Sequence, residues 1–365
     1  MNNQTLTVGL VGHSCDLDNV VNVFKYWNPS APDFSEPLIR KMLEWSPPFK
    51  GTAFKDHIIE NKNIGVNATH IIVPFIPDLN ITMGTLLNKV ESAIRLCAEE
   101  KCFIATLGAF TSIVCCGKEK AFKDKYGINI TSGNTLTAAL AVGQINNACE
   151  ILDRELSECT VLIVGGSGDI GFGCAQVLCT KAKHTILAAR SIGQLKTSAS
   201  KIKSKFNVDV EVGTDISSFT RNADIILSTA ASNETLIFND DIKAGAIVCD
   251  VGFPKNVCSA AFSRNDILAF DGGLAELPTE LNFGYDSKLP QKNILFGCYT
   301  EGLLLAAEKY NDLFSYGRGN ITTENMEYIF KIAQKYKISP APFYSGNRKI
   351  DTERICNIKK ILKGK

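Results

Sequence analysis

The stretch Thr160-Val-Leu-Ile-Val-Gly-Gly-Ser-Gly-Asp-Ile-Gly171 runs a short β-branched segment straight into a glycine-rich turn. Four to five consecutive apolar residues bounded by turn signals read as a strand buried on both faces, the kind found in parallel sheets. The turn spaces its glycines as Gly166-x-Gly168-x-x-Gly171, with Ser167, Asp169 and Ile170 between them. Phe172, Ala175, Val177 and Leu178 then follow at helical spacing. Glycines at these positions let a diphosphate approach backbone N–H groups where a helix begins. Residues 166–171 are therefore expected to cradle a dinucleotide; the plainer alternative is a structural Gly-rich turn.

The end of the following strand bears on which dinucleotide. An NAD site usually carries an acid there for the ribose 2′-hydroxyl. Here the residues are Ala188-Ala189-Arg190-Ser191, with no carboxylate. A guanidinium pairs bidentately with a 2′-phosphate and a serine adds a hydrogen bond, so Arg190 and Ser191 point to NADPH. A solvated surface arginine is the competing reading.

Outward from this turn, strands are expected at 160–164, 185–188, 208–212, 224–228, 246–249 and 267–270, with helical patterns between several of them. That rhythm is a doubly wound α/β sheet. The N-terminal third gives strand 7–11, helix 17–27, strand 70–76, helix 83–100 and strand 102–107, with a polar, proline-rich connection through residues 29–48. A small-residue helix over 135–152 links the two parts, and helices at 299–310 and 322–337 precede a basic tail beyond Pro342. The expected architecture is α/β: an N-terminal α/β substrate layer (1–150), a Rossmann NADP-binding domain (151–297) and a C-terminal helical segment (298–365).

Composition excludes several classes. Thirty-nine Lys and Arg against 38 Asp and Glu leave no bulk charge to favour nucleic acid. The residues after Met1 lack a basic, then apolar, leader pattern, and no uncharged run is apolar enough for a membrane span. Thirteen scattered cysteines without a CxxC pair, with four distant histidines, fit neither a disulfide scaffold nor a metal site. Reduced thiols in a cytoplasmic protein are the expectation. One cysteine stands out. Cys298, in Leu295-Phe-Gly-Cys-Tyr-Thr-Glu301, falls near the expected start of a helix, where backbone N–H groups favour a thiolate, while Glu301 one turn on opposes it. It is a candidate nucleophile or a buried helix-start cysteine.

Further motifs carry a resemblance. Gly9-Leu-Val-Gly-His13, Leu107-Gly-Ala-Phe-Thr-Ser-Ile113, Thr131-Ser-Gly-Asn-Thr135, Val164-Gly-Gly-Ser-Gly-Asp-Ile-Gly171, Asp250-Val-Gly-Phe-Pro-Lys-Asn256, Asp271-Gly-Gly273, Phe296-Gly-Cys-Tyr-Thr-Glu301 and Phe314-Ser-Tyr-Gly-Arg318 occur in one order over about residues 6–340. In that order they resemble the cyanobacterial-type long-chain acyl-[acyl-carrier-protein] reductases, which generate fatty aldehydes. The resemblance implies acyl transfer from a carrier thioester to Cys298, in the F-x-C-[FY]-x-E motif, and reduction of the enzyme thioester with NADPH. It implies an acyl carrier protein as partner and an aldehyde-consuming enzyme downstream. For the oxyanion it offers Asn134 and Thr135, or Thr111 and Ser112 as substrate-binding hydroxyls, each equally readable as a cap or turn residue. Lys255 could neutralise charge near cofactor or oxyanion, or be a solvated loop lysine. The basic tail from Arg348 to Lys365 could steer an acidic carrier. Two other functions compete: a shikimate-dehydrogenase-like oxidoreductase without covalent catalysis, and a dinucleotide-binding protein with no turnover.

Overall fold

Strand β1 (Gln4–Gly12), its last five residues buried, is the central strand of the first of the two main sheets. The computed structural model describes residues 4–60 and 64–364. It divides into a unit of Met1–Gly133, Leu277–Arg318 and Ile332–Lys337 and a unit of Asn134–Glu276, Gly319–Lys331 and Ile338–Lys365.

In the first unit, β1 leads to α1 (Leu17–Trp27), α2 (Glu36–Trp45), β2 (Phe49–Glu60), β3 (Ile64–Ile72), α3 (Met83–Glu99), β4 (Ile104–Leu107), α4 (Phe110–Cys115), α5 (Glu119–Tyr126) and β5 (Asn129–Thr131). The sheet order is β2-β3-β1-β4-β5, all parallel except β2, which runs antiparallel on the β3 edge. Among the four parallel strands the chain order is thus 2-1-3-4, and it reverses between β1 and β4. Helix α2 lies where the proline-rich connection was expected. Pro37 falls in its first turn, where a missing N–H costs nothing. The strand expected over 70–76 instead ends at Ile72, because Pro74 has no N–H to continue the ladder.

The second unit opens with α6 (Asn134–Ile151), then β6 (Thr160–Val164), α7 (Asp169–Leu178), β7 (His184–Ala188), α8 (Ile192–Phe206), β8 (Glu211–Gly213), α9 (Ile216–Asn222), β9 (Ile225–Ser228), β10 (Ile247–Asp250) and β11 (Leu268–Asp271). Its six strands are all parallel in the order β8-β7-β6-β9-β10-β11. That is 3-2-1-4-5-6, the doubly wound dinucleotide fold, with the reversal between β6 and β9. Its core joins α6 and α7 to the sheet through residues such as Ile145, Ile163, Leu178, Leu227 and Phe270.

Beyond β11 the described residues form three α-helices, α10 (Gly297–Ala307), α11 (Thr323–Lys335) and α12 (Thr352–Lys363), together with a small three-stranded sheet and a two-stranded hairpin. Helix α10 belongs to the first unit, packs on β1, β3 and β4, and is buried along almost its whole length. It begins two residues earlier than expected. The basic tail is a helix with a place in the second unit's core: Asp351 caps it, Ile358 is buried, and Arg354 donates to the Phe262 and Ile267 carbonyls. The residues expected as one segment, 298–365, are thereby shared out, 298–318 to the first unit and 338–365 to the second. No disulfide bond joins any of the thirteen cysteines. Among the described residues no helix is long and apolar enough to cross a membrane, and no cluster of three His, Cys, Asp or Glu side chains could hold a metal ion.

Candidate active site

In an open α/β sheet, ligands sit at the carboxyl ends of the strands where the order reverses. In the first unit those ends are Gly12-His13 after β1 and Gly108-Ala109 after β4. Gly108 N–H donates to the Val11 carbonyl at 2.8 Å, tying the two ends together. Phe110 N–H donates to His13 Nε2 at 3.3 Å, and His13 Nδ1, 2.8 Å from the Ser14 carbonyl, must carry the ring proton. Ala109 holds φ +48° and ψ −125°, a region a residue with a Cβ enters only under constraint. The constraint is visible: Thr111 Oγ1 donates to the Gly108 carbonyl at 2.7 Å and Ser112 Oγ to the Ala109 carbonyl at 2.8 Å. The two hydroxyls expected to contact substrate are spent on shaping this turn.

Cys298 is the second residue of α10 and is partly buried. Burial pushes its thiol up to about 12; backbone N–H groups of Ala109 and Tyr299 pull it down, and the Glu301 carboxylate pushes it up again. The thiolate expected from the helix start is not the resting state, because desolvation outweighs the helix end. Thr106 Oγ1 donates to the Cys298 carbonyl at 2.7 Å. Gly133, at φ +69°, lies so close that a Cβ there would overlap the Cys298 backbone. Thr131 Oγ1 fixes that approach, donating to Glu301 at 2.5 Å and accepting the Gly133 N–H at 3.2 Å. Between them, the buried Ser132 hydroxyl has no hydrogen-bond partner among the described residues. Sequence reasoning passed over Ser132, although it sits inside the quoted Thr131–Thr135 motif.

Tyr299 points its ring into the gap left by two glycines: a Cβ on Gly12 would overlap its hydroxyl, and one on Gly108 would come within 2.8 Å of the ring. That hydroxyl is 3.5 Å from His70 Nε2, and the Tyr285 hydroxyl is 2.5 Å from His70 Nδ1. Burial lowers His13 and His70 to about 4 and raises both phenols, so all four are neutral near pH 7.

In the second unit, the β6–α7 turn lies at the other reversal point. Gly165 takes φ +85°, and a Cβ on it would meet Ala230 N at 2.8 Å; one on Gly166 would meet Leu187 Cβ at 2.9 Å. A Cβ on Gly171 would overlap the Gly165 carbonyl. Gly168 is the N-cap of α7, and no side chain caps that helix. Only glycine fits this cradle, so the residues suit a dinucleotide diphosphate. Ser167 and Ile170 lie in the same turn and first helical residues. Asp169 accepts from Asn134 Nδ2 and from Gly319 N–H, both at 3.1 Å. Asn134, expected at an oxyanion, therefore braces the glycine turn, and Thr135 after it is fully buried in α6. Arg190 is exposed at the end of β7, and Ser191 caps α8 by accepting the Gln194 N–H. Lys255 bonds the Asp271 carboxylate at 3.0 Å and the Asp250 carbonyl at 2.8 Å. Desolvation pulls it down, but the Asp271 and Asp250 charges outweigh that and raise it. It is a paired lysine whose side chain still meets solvent.

A parallel 3-2-1-4-5-6 sheet with this turn is a dinucleotide-binding fold, and the chain is an NAD(P)-dependent oxidoreductase. Residues 146–271 match the family described as shikimate / quinate 5-dehydrogenase. Over 353 residues the chain is 25% identical to the long-chain acyl-[acyl-carrier-protein] reductase of Synechococcus elongatus, covering 91% of this chain and 98% of that protein. It is 27% identical over 279 residues to the aminotransferase PigE of a Serratia species, spanning 75% of this chain but only 32% of PigE. The solved glutamyl-tRNA reductase of Methanopyrus kandleri aligns at 15% identity and a TM-score of 0.32, covering 79% of this chain and 59% of that one.

Proposed function

We propose that the protein reduces a fatty acyl thioester, presented by an acyl carrier protein or as a coenzyme A ester, to a fatty aldehyde through an acyl-enzyme at Cys298. The observation that carries the reading is Cys298 Sγ at the β1/β4 reversal point, with the backbone N–H groups of Ala109 and Tyr299 favouring its ionised form. The Synechococcus relative supports the substrate class.

The chemistry follows from these residues. The sulfur of Cys298 attacks the thioester carbonyl and displaces the carrier's thiol, a sulfur-for-sulfur exchange of little net energy. The unpartnered Ser132 hydroxyl is a donor for the oxygen that becomes negative, and the Ala109 N–H is held by its strained turn to serve the sulfur. A bound nicotinamide supplies the hydride. The hemithioacetal on Cys298 then collapses to aldehyde, returning the thiol. In the second unit the glycine turn would hold the diphosphate and Arg190 with Ser191 would take a 2′-phosphate, while Lys255 with Asp271 holds the end of β11 in shape.

Mixing the protein with a long-chain acyl thioester and weighing it intact tests this. An acyl-sized mass increase is expected, lost in Cys298→Ala, whose aldehyde formation should fall by at least about a thousandfold with NADPH binding retained. Aldehyde formation that survives in Cys298→Ala would overturn the acyl-enzyme. A second reading, a shikimate-dehydrogenase-like oxidoreductase with no covalent step, is favoured by the family match over 146–271 and by a resting thiol rather than a thiolate. It predicts no adduct and turnover of a hydroxy acid.

A further inference from the structure

Two adjoining peptide groups shape the turn after β4, and every polar atom in them has a destination. In the first, the Gly108 carbonyl accepts Thr111 Oγ1 at 2.7 Å and the Thr111 N–H at 3.1 Å. Its N–H, that of Ala109, donates to the Cys298 sulfur. In the second, the Ala109 carbonyl accepts Ser112 Oγ at 2.8 Å and the Ser112 N–H at 3.2 Å. Its N–H, that of Phe110, donates to His13 Nε2 at 3.3 Å. Both carbonyls are thus served from within the turn, and the two N–H groups look outward, one to the sulfur and one to the imidazole. Cys298 is also held against this turn by other contacts: Thr106 Oγ1 donates to its carbonyl at 2.7 Å, and the Tyr299 ring packs on Gly108. His13 is held as firmly. Its ring stacks on Phe75 with centroids 4.2 Å apart, and its Nδ1 proton goes to the Ser14 carbonyl at 2.8 Å, which leaves Nε2 an acceptor.

We propose that His13 is a positioning residue for Cys298: its Nε2, by accepting the Phe110 N–H, keeps the Ala109 N–H turned toward the sulfur. The role deepens the acyl-enzyme reading above and rests on it. The two peptide planes share the Ala109 Cα, so rotation of one strains the other. Ala109, at φ +48° and ψ −125°, holds a conformation that persists only where its surroundings over-determine it. Without the imidazole acceptor the Phe110 N–H loses its partner, a cost that is greatest away from water. Rotation of the 109–110 plane relieves both that cost and the strain at Ala109, and it withdraws the Ala109 amide from Cys298. The sulfur then lacks a donor that favours its ionised form. Burial and the Glu301 carboxylate, which disfavour that form, are opposed by fewer backbone N–H groups. His13 acts through the turn and not on the reacting atoms.

Iodoacetamide labelling of Cys298 at a fixed pH, read by peptide mass spectrometry against the exposed Cys356, tests this. His13→Phe keeps a ring on Phe75 and removes the acceptor, whereas His13→Gln sets an amide oxygen where Nε2 was. In His13→Phe, Cys298 should label about threefold or more slowly, because a more basic thiol loses about tenfold in thiolate for each threefold it gains in nucleophilicity. Acyl loading should slow in step, and NADPH affinity should stay near wild type. His13→Gln should restore labelling and loading to within about twofold of wild type. Buried Cys97, in the same unit, reports any opening of the fold. Faster labelling of Cys97 and Cys298 together would mark a packing role and overturn the proposal. So would unchanged labelling of Cys298 in His13→Phe, or equal slowing in both variants, which would assign the effect to the ring and not to its acceptor. If His13→Phe fails to fold, His13→Leu is read in its place by the same outcomes. Absence of an acyl adduct in the wild-type protein, with the labelling differences intact, would instead sink the acyl-enzyme reading and leave the hold of His13 on the sulfur standing.

Discussion

Ala109 shows how a single backbone setting serves a site. Its positive φ aims an amide at Cys298, and Thr111 and Ser112 stabilise the turn that makes this possible. The two histidines nearby carry a testable cost. Burial holds His70 and His13 at about 4, below the 6.5 of a free imidazole. Below pH 6.5 the unfolded chain takes up protons that the folded chain refuses, so stability is complete above that pH and drains away as pH falls toward 4. For His70, the more deeply buried, the loss is on the order of 1–3 kcal/mol. Urea midpoints should fall progressively between about pH 7 and about pH 4.5, and His70→Phe should flatten part of that slope; an unchanged slope in the variant would reject the assignment. The sequence made Cys298 legible through its flanking glycine and position near a helix start. It did not make His70, Tyr285 or Ser132 legible, because they come from three distant segments and share no spacing. The thiolate expectation failed for a physical reason: a helix end contributes about 0.3–2 kcal/mol, and burial of the sulfur exceeds that.

At the scale of elements, the β6–α7 turn was readable to the residue, since steric demand leaves glycine no substitute. Gly171→Ala would put a Cβ onto the Gly165 carbonyl and within 2.6 Å of Thr229 Oγ1. NADPH should bind at least about tenfold more weakly, about 1.4 kcal/mol, by fluorescence titration, whereas acyl loading of Cys298 should persist because α10 and its floor lie in the other unit. Loss of both together would mean that the turn supports the whole fold. Strands β1, β4, β6, β9, β10 and β11 were legible as apolar runs buried in parallel sheets. Strand β2 was not. It is an antiparallel edge strand with Lys50, Lys55, Asp56 and His57 along it, and an edge shows no clean apolar alternation. Helix α2 was hidden by Pro37, a residue that marks a helix start as readily as a loop.

For the molecule as a whole, the basic tail bears on partner choice. Helix α12 is part of the second unit's core through Ile358, so deleting it would test folding more than docking. The exposed Arg348 and Lys349 lie outside the helix and are better placed for a charge test. If they help to steer an acidic acyl carrier, Arg348→Glu with Lys349→Glu should raise the carrier's KM about three- to tenfold at low ionic strength, and salt should erase the difference. An unaltered KM at low salt would leave the tail a purely structural element. The placing of the units is less legible in sequence than the sheets, because neighbours in sequence need not be neighbours in space. The chain instead passes from one unit to the other after Gly133, Glu276, Arg318, Lys331 and Lys337. Such stitching makes the protein poor material for dissection by gene truncation. A chain stopped at Glu276 would lack α10, and one begun at Leu277 would lack every strand of both main sheets. Split there, the two fragments should recover activity only when co-expressed, as a complementing pair whose refolding is each other's template.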